Sequence, residues 1–552
     1  MLRTESYDAI VIGSGMGALT FAAVMSKVAR KRVLVLERHF KAGGFTHTFR
    51  RPGGWEWDVG VHYVGGMGHD SMGRKLFDFI TGGHVKWNPM PDDYDHFHYP
   101  GFRFNASKGK GKFEADLLAR FPDEATSIRK YIRDLQSASN WARRIFIANS
   151  MPWPLAAATR WFNRITSALP LTTTGEYLDR HFRDPQLRAL LASQWGDYGL
   201  PPSESAFAIH ALIATHYCDG AFYPVGGSAT IAEGASAIIR QAGGDVRVNH
   251  EVTRILVENG RATGVEVQIK KGKDGETVRF EAPLIVSNAG AATTFRKLLP
   301  ANASFPFMTQ LDALMQSAHS AATLYLGFKR DPRELGFRGE NHWMFDTLDH
   351  DQALIRSADL LHGNAHAAYL SFPSLKDPRA TRHTAEIIAP LSYQAVAQFR
   401  DLPWHRRGPE YDQIKQNIAK GMLDLAEQHH PGLTDLIEFQ EVSTPLSIEH
   451  FTGHPLGGFY GIPATPERYR QSWLTPKTHV PGLFLAGVDS GSLGIMGALM
   501  GGVATASQVL GPFGFLRVMA AATRESRQPD TPICVALTTP PKAFYKLQNK
   551  ST

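Results

Sequence analysis

The chain has 552 residues, of which 43% are hydrophobic and 20% are charged. That composition describes a folded globular protein with two or three packed regions and excludes a disordered chain. The net charge of +7 is not accompanied by zinc-finger spacing, an RNA-binding sheet motif or a long Lys/Arg tract, so we expect no nucleic-acid partner. Cys218 and Cys534 offer no disulfide framework and no metal motif, which fits a reducing compartment.

A strand, a glycine-rich turn and a helix are predicted at the start of the chain. Residues 7–12 (YDAIVI) have the apolar, β-branched character of a buried parallel strand, and a helical pattern follows over 19–28. The turn between them matches G-x-G-x-x-G/A: Gly13 allows the tight turn, Gly15 admits a pyrophosphate, and Ala18 permits close helix–strand packing. The helix N-terminus adds free N–H groups and a positive dipole end. The predicted phosphate-binding residues are Gly13, Ser14, Gly15, Met16, Gly17 and Ala18.

A second strand, residues 32–36 (RVLVL), ends in Glu37, about twenty residues beyond the glycines. A carboxylate there accepts hydrogen bonds from the adenosine ribose hydroxyls and repels a ribose 2′-phosphate, which disfavours NADP. The pair Gly43-Gly44 lies just past this strand and lets the backbone approach the ribityl-pyrophosphate part of a longer cofactor. This order of elements predicts a Rossmann-type dinucleotide site.

A remote segment distinguishes FAD from NAD. Residues 482–489 (GLFLAGVD) are predicted as strand, turn and acid, so Asp489 can bond a ribityl or phosphate-side hydroxyl. The glycine-rich stretch 494–502 then begins a helix whose N-terminus is directed at the flavin ring. We therefore predict FAD as the cofactor. The remaining predicted cofactor contacts are Arg38, Phe45, Thr46, Gly60, Val61, Val252, Gly487, Ile495 and Met496.

These motifs resemble the phytoene desaturase branch of the amine-oxidase-like flavoproteins, and within it the carotenoid isomerases and retinol saturases. Besides the cofactor motifs, the resemblance rests on short segments spread from about residue 7 to 510: 58–66 (DVGVHYVGG), 224–227 (PVGG), 286–289 (VSNA), 444–447 (TPLS) and 451–455 (FTGHP). It implies non-covalent FAD and a lipophilic unsaturated substrate that is desaturated, saturated or isomerised. His454 departs from the family pattern, which more often has Asn.

The predicted fold class is α/β, with a parallel-sheet FAD domain that is discontinuous in sequence and an α+β substrate domain formed by insertions. The FAD domain is assigned to 1–105, 215–290 and 476–512, the substrate or lid domain to 106–214 and 291–475, and a C-terminal extension to 513–552. Within the FAD domain, 254–280 is predicted as a small antiparallel layer. The uncharged stretch 490–516 is long enough to span a bilayer, but its glycines favour a buried helix packed on the cofactor.

Residues 135–175 contain no acidic residue and interleave arginines with large aromatic side chains. Two interpretations stay open: an interfacial helix pair on anionic lipid, or a lid helix packed inward with solvated arginines. We also expect this stretch to supply the lining of an apolar substrate tunnel through Trp141, Trp153, Trp161 and Phe162. Because no secretory signal pattern is visible, the expected location is cytoplasmic, with peripheral membrane association through 135–175 left open.

The candidate catalytic residues are His62 and Tyr63, on the segment that resembles the flavin-facing strand, and His454 on a late loop. A satisfied structural role is the alternative for each. We expect no metal site, and His96 and His98 are interpreted as part of a polar loop. The predicted function is FAD-dependent chemistry at C=C or adjacent C–H bonds of a long apolar lipid. The alternatives are an amine or small-molecule oxidase and a non-catalytic flavin-bound protein at a membrane surface; no motif indicates the electron partner.

Overall fold

The computed structural model describes residues 6–270 and 275–526, without the side chains of Lys110 and Trp153. Its strands are, in chain order, β1 (Ala9–Ile12), β2 (Val33–Leu36), β3 (Thr48–Arg50), β4 (Glu56–Asp58), β5 (Val64–Gly65), β6 (Trp87–Pro89), β7 (Asp95–Tyr99), β8 (Phe102–Ala106), β9 (Ala221–Pro224), β10 (Asp245–Arg247), β11 (His250–Glu258), β12 (Arg261–Ile269), β13 (Glu276–Glu281), β14 (Ile285–Ser287), β15 (Ala321–Phe328), β16 (Asn341–Phe345), β17 (Ala367–Ser371), β18 (His383–Pro390), β19 (Ile437–Ser443) and β20 (Leu483–Leu485).

The α-helices follow the same order: α1 (Met16–Ala29), α2 (Met72–Thr81), α3 (Lys110–Arg120), α4 (Ala125–Ser150), α5 (Trp153–Ile165), α6 (Thr174–His181), α7 (Pro185–Ala192), α8 (Phe207–His216), α9 (Ala229–Gln241), α10 (Ala291–Thr293), α11 (Met308–Met315), α12 (His350–Ile355), α13 (Pro373–Lys376), α14 (Pro409–His429), α15 (Pro445–Thr452), α16 (Pro466–Arg470), α17 (Gly494–Val509) and α18 (Gly514–Glu525).

A five-stranded parallel sheet carries the first domain, in the order β10-β2-β1-β14-β20. The central strands β1 (AIVI) and β2 (VLVL) are buried at every position, as continuous apolar runs in a doubly covered parallel sheet are expected to be. The strands come from three separate parts of the chain. The predicted α/β class and the discontinuity of this domain are therefore confirmed.

Helices α1 and α17 cross at close range beside this sheet, and the crossing requires glycine. A Cβ built on Gly502 of α17 would lie 2.4 Å from the carbonyl oxygen of Gly17 in α1. Gly17 also leaves room for the turn after β20, because a Cβ on Gly17 would lie 2.3 Å from the Cα of Gly487. Most of α17 is buried, as expected for the uncharged stretch that contains it. Among the described residues, no helix combines the length and apolar character needed to cross a membrane.

A seven-stranded mixed sheet carries the second domain, in the order β19-β15-β18-β17-β16-β7-β8. Strand β16 pairs in parallel with β7, which pairs with β8. The hairpin β7–β8 therefore belongs to this sheet, and the first FAD-domain segment ends before residue 95 and not at 105. The predicted boundary differs from the observed one because a hairpin joins the sheet that holds its strand partner. That partner, β16, is distant in sequence, and no local pattern reveals it.

Three further predicted segments can be compared with the structure: the antiparallel layer, the insertion after β8 and the C-terminal extension. The predicted antiparallel layer is the sheet β11-β12-β13, and the insertion after β8 is helical from α3 to α8. The C-terminal extension is not separate over its described part, because Val518 and Ala522 of α18 are fully buried in the core of the first domain. Lys27 of α1 also pairs with Glu525 at 2.5 Å. Cys534 lies outside the described residues.

Candidate active site

A cavity of about 1470 Å³ is lined by residues from both large sheets. That volume exceeds the roughly 300–1,000 Å³ of a pocket for one small ligand, so the cavity has room for a cofactor and a substrate together. We call the part lined by residues 13–17, Glu37, residues 43–46 and residues 487–489 the glycine region. The part lined by large side chains of the second domain, here the aromatic region, contains Trp195, Trp343, Phe345, Tyr369 and Tyr460.

The glycine region exposes the N-termini of two helices to the cavity. Helix α1 begins after Gly15 and α17 after Leu493, and neither has a side-chain cap on its first N–H groups. Such N–H groups bind phosphate and other negative charge. A Cβ on Gly15 would lie 2.7 Å from Nδ2 of Asn288, so only glycine leaves this passage open. Asn288, which sequence reasoning placed only within a family-like motif, is thus a further residue of the cavity wall.

Glu37 lies at the carboxyl end of β2, as predicted, and its carboxylate is bound to the glycine loop. Its Oε2 accepts hydrogen bonds from the amide of Ser14 at 2.8 Å and the hydroxyl of Ser14 at 2.6 Å. Its Oε1 accepts one from the amide of His39 at 2.8 Å. The Ser14 hydroxyl in turn accepts a hydrogen bond from the amide of Gly43 at 2.9 Å. Glu37 therefore ties together the two loops that were predicted to hold the cofactor.

Asp489 also bonds to backbone. Its Oδ2 accepts from the amide of Ala291 at 2.6 Å and its Oδ1 from the amide of Ile462 at 2.9 Å. The side chain lines the cavity and joins three chain segments, so it holds the glycine region together.

Most of the predicted cofactor residues line the same cavity. Ala18 and Met496 do not: Ala18 is fully buried in the helix–strand packing, as its predicted role requires, and Met496 packs into the core of the first domain. The predicted residues that line the cavity are Gly13, Ser14, Gly15, Met16, Gly17, Glu37, Arg38, Gly43, Gly44, Phe45, Thr46, Gly60, Val61, Val252, Gly487, Asp489 and Ile495.

The three predicted catalytic residues lie at different depths. His62 and His454 line the cavity, whereas Tyr63 is buried behind it. His454 lies beside the glycine region, with its ring stacked at 6.2 Å on that of Phe45, and burial lowers its pKa. The Nδ1 of His62 lies 2.8 Å from Oε2 of Glu386, a fully buried carboxylate on β18.

Tyr63 connects two buried carboxyl groups. Its hydroxyl oxygen lies 2.7 Å from Oδ2 of Asp197 and 3.1 Å from Oδ2 of Asp95. A phenol has one proton to donate, so both contacts are satisfied only when one carboxyl group is itself protonated. Burial, reinforced by the charge of Asp95, raises the pKa of Asp197 to about 8. Asp197 lines the cavity, and its raised pKa favours the protonated form of this carboxyl group.

Lys376 holds the segment that carries His62. Its buried ammonium donates to the carbonyl oxygen of His62 at 2.9 Å, to Oδ1 of Asn341 at 2.5 Å and to Oγ of Ser371 at 2.6 Å. Burial lowers the pKa of Lys376 to about 8, against the opposing influence of the nearby Glu386 carboxylate. The charge of this lysine is compensated by surrounding acidic groups, as a buried ammonium requires.

Sequence reasoning missed Asp197, Lys376 and Glu386. The signal available for Asp197 is a single acid between Trp195 and Tyr198. Lys376 and Glu386 have no signal, because their partners are distant in the chain.

The prediction that Trp141, Trp161 and Phe162 line the substrate tunnel was wrong. Trp161 and Phe162 of α5 are 65% and 45% exposed, and Trp141 is buried outside the cavity, where it donates to the carbonyl oxygen of Asn163. None of the three lines the cavity. Tandem aromatic residues on one helix do not show which face of that helix packs inward. The side chain of Trp153 lies outside the described part of the chain.

The interpretation of His96 and His98 as a polar loop was also wrong. Both lie on the buried strand β7, which pairs with β8 on one side and with β16 on the other. Burial lowers the pKa of His98, and that of His342 on β16 falls well below its usual value for the same reason.

Comparison with known proteins identifies the family to which the chain belongs. Residues 19–510 match the model of the flavin-containing amine oxidoreductase family. The rat (Rattus norvegicus) all-trans-retinol 13,14-reductase is 31% identical over 92% of this chain and 86% of its own length. The chloroplastic prolycopene isomerase of Arabidopsis thaliana is 25% identical over 92% and 83%.

A putrescine oxidase structure has the same fold, with a TM-score of 0.59 and 14% identity over 92% of this chain and 99% of its own. The predicted family, the FAD cofactor and the oxidoreductase class are therefore confirmed. This chain belongs to the flavin-containing amine oxidoreductase family, in the branch of the retinol 13,14-reductases and prolycopene isomerases.

Proposed function

We propose that this FAD-dependent oxidoreductase acts on a C=C bond, or an adjacent C–H bond, of a long polyene lipid of the retinoid or carotenoid class, with unsaturated acyl lipids as a further possibility. The observation that carries the proposal is the aromatic region, which places large aromatic side chains and the carboxyl group of Asp197 in the same cavity as the glycine region. Large aromatic side chains offer an extended conjugated substrate apolar contact along its length. The relatives named for retinol and prolycopene support the same substrate class.

Bound FAD supplies hydride exchange with carbon, and the protein supplies orientation, a dry site and a proton. The residues proposed to hold the cofactor are those of the glycine region, through the helix N-termini at Gly15 and Gly494 and the carboxylate of Glu37. The carboxyl group of Asp197 gives a proton to the substrate carbon when a double bond is saturated. In the reverse direction its carboxylate accepts the proton. Tyr63, which hydrogen-bonds to Asp197, keeps the carboxyl group oriented.

An anaerobic assay tests this function. Chemically reduced enzyme is mixed with all-trans-retinol, carotenoids, unsaturated fatty acids or putrescine, and oxidised enzyme is tested in parallel. We expect a polyene to change the flavin spectrum, and a product altered by two hydrogen atoms or by geometry to appear in mass spectrometry and chromatography. Reduction of the flavin by putrescine, with every lipid inert, would replace this proposal by an amine oxidase.

We further propose that the protein binds an anionic membrane surface through an apolar patch on α5. Leu155, Trp161, Phe162 and Ile165 are all exposed and lie within one broad arc of the helix, as in interfacial amphipathic helices. Arg164 is exposed on the same helix.

The membrane test is directed at the apolar side chains, because at least one arginine of this region makes contacts within the protein. The guanidinium of Arg144 lies 5.1 Å from the centre of the Phe162 ring and donates to Oδ1 of Asn163. The test is therefore flotation with phosphatidylserine liposomes of the triple variant Leu155→Ser, Trp161→Ser and Ile165→Ser. Its control is Ile355→Ser, an exposed apolar residue of α12. We expect recovery to fall only in the triple variant, and equal recovery would rule the patch out.

A further inference from the structure

Histidines cluster on the face of the seven-stranded sheet that is turned away from the cavity. On β16, Trp343 and Phe345 line the cavity. Successive side chains of a strand point to opposite faces of the sheet, so His342 lies on the face away from the cavity. The register of the parallel pair β7–β16 sets His96 beside His342, and His98 follows on the same face two residues later. All three side chains are buried.

Each of these three histidines offers one ring nitrogen within 4.8 Å of those of the other two. The closest approach, 3.1 Å, is between Nε2 of His98 and Nδ1 of His342. Ligand nitrogens about 2.0–2.1 Å from a tetrahedral zinc ion lie about 3.4 Å from each other, so this pair already has the spacing of two ligands. Inward movement of the His96 ring completes a three-nitrogen set.

The outer nitrogen of His96 faces a carboxylate. The Nε2 of His96 lies 3.0 Å from Oδ2 of Asp93, which leaves Nδ1 as its ligand atom. The nearest carboxylate to Nε2 of His342, that of Glu340, is 3.7 Å away and too far for a hydrogen bond. Metal-binding histidines usually direct their second nitrogen to a carboxylate or carbonyl oxygen, which fixes the tautomer and makes the ligand atom more basic.

The C-terminal end of α14 adds His430 to this cluster. Its ring centroid lies 4.4 Å from that of His342 and 5.1 Å from that of His98. The pair at 3.1 Å uses one nitrogen of His98 and one of His342. Their second nitrogens, Nδ1 of His98 and Nε2 of His342, and Nε2 of His430 are buried without a hydrogen-bond partner. Buried polar atoms normally have partners, and packing against aromatic rings such as Phe337 does not supply one.

We propose that His96, His98 and His342 bind a divalent transition metal ion of the zinc class. Neutral imidazole is a preferred ligand of such ions, and three histidine nitrogens leave a fourth position for water or another ligand. The ion would join β7 and β16, which come from distant parts of the chain. The site is separate from the cavity and does not depend on the proposed substrate. The spacing of the histidines in sequence could not reveal it, because 244 positions separate His98 from His342.

The test uses the full-length flavin-loaded protein without a histidine tag. After dialysis against EDTA it is titrated with Co²⁺ and, separately, with Zn²⁺, and the bound metal is measured by mass spectrometry. We expect one metal ion per chain and the ligand-field absorption of tetrahedral Co²⁺. The variant His98→Ala/His342→Ala should lose both, and Asp93→Asn should bind the metal about 10- to 100-fold more weakly.

The control is His69→Ala, since the side chain of His69 is 96% exposed. It should keep the full metal content, and loss of metal there would show binding at surface histidines. Flavin absorbance reports the fold of every variant, and Asp93→Asn keeps the experiment informative if the double variant fails to fold. Folded wild-type protein that takes up no metal and gives no Co²⁺ spectrum overturns the proposal, as does unchanged binding by a folded double variant.

Discussion

The glycine region and the aromatic region of the cavity are built in different ways. The first consists largely of backbone N–H groups and glycines, which the carboxylates of Glu37 and Asp489 join to neighbouring loops. The second depends on buried ionisable side chains such as Asp197 and Lys376, whose partners come from several distant segments. The proposed cofactor site therefore rests mainly on backbone geometry, whereas the proposed substrate chemistry depends on ionisable groups that the fold buries together.

The largest effect is expected from a substitution that blocks the glycine region sterically. In Gly15→Val the new Cβ would meet Nδ2 of Asn288 at 2.7 Å and fill the passage proposed for the pyrophosphate. Overpacking of this kind costs about 1–3 kcal/mol before any cofactor contact is lost. We expect protein without flavin absorbance, and FAD should not restore it. Gly68→Val is the control, because a Cβ on Gly68 meets nothing within 4 Å; normal FAD content in Gly15→Val contradicts the steric argument.

The next effect tests the buried charges of the second region. Lys376→Met removes an ammonium that makes three hydrogen bonds and leaves nearby acidic groups uncompensated. Each buried oxygen left without its donor costs about 1–3 kcal/mol, so we expect the free energy of unfolding to fall by at least about 3 kcal/mol. Urea denaturation measures it, with Lys420→Met as the control, since Lys420 forms an exposed pair with Asp424. A loss no greater than that of the control would show that Lys376 is not essential to the charge balance.

A third change addresses the proton of Asp197 while FAD stays bound. Asp197→Asn keeps the shape but cannot donate a proton, so we expect turnover to fall by about 10²- to 10⁴-fold with normal FAD content. Because burial raises the pKa of Asp197 from 3.8 to about 8, the carboxyl group is protonated below pH 8. Wild-type saturation activity should therefore decline as the pH rises through about 8, and desaturation activity should rise instead.

The pH profile of the variant is the control for this assignment. In Asp197→Asn the step near pH 8 should disappear, and Asp70→Asn, which changes an exposed carboxylate, should keep it. A wild-type profile without a step between pH 7 and pH 9, on either side of the raised pKa of about 8, contradicts a proton role for Asp197.

The smallest effect sharpens the description of the glycine region. Glu37→Ala removes a carboxylate that binds Ser14 and is proposed to bind the adenosine ribose. A hydrogen bond to a charged group contributes about 1.5–3 kcal/mol, so the dissociation constant of FAD should rise about 10- to 150-fold. Fluorescence titration of apoprotein measures it, and Glu258→Ala, on an exposed strand end, is the control. Unchanged affinity would assign Glu37 to loop structure alone.

The sequence alone determined the α/β class, the FAD cofactor and the family, because the motif from Gly13 to Ala18 and the acid Glu37 act through local geometry. Strand, turn and helix follow one another there, so spacing along the chain translates directly into position. Of the three catalytic candidates, which came from the resemblance and from residue type, His62 and His454 line the cavity and Tyr63 does not.

Only the tertiary structure decided the environment of Asp197, the sheet to which β7 belongs and the outward orientation of Trp161. Each depends on which distant segment becomes the neighbour, and burial by that neighbour sets the pKa of a carboxyl group or the exposure of an aromatic ring. Local patterns carry no record of such neighbours, because pairing across a sheet joins residues that lie far apart in the chain.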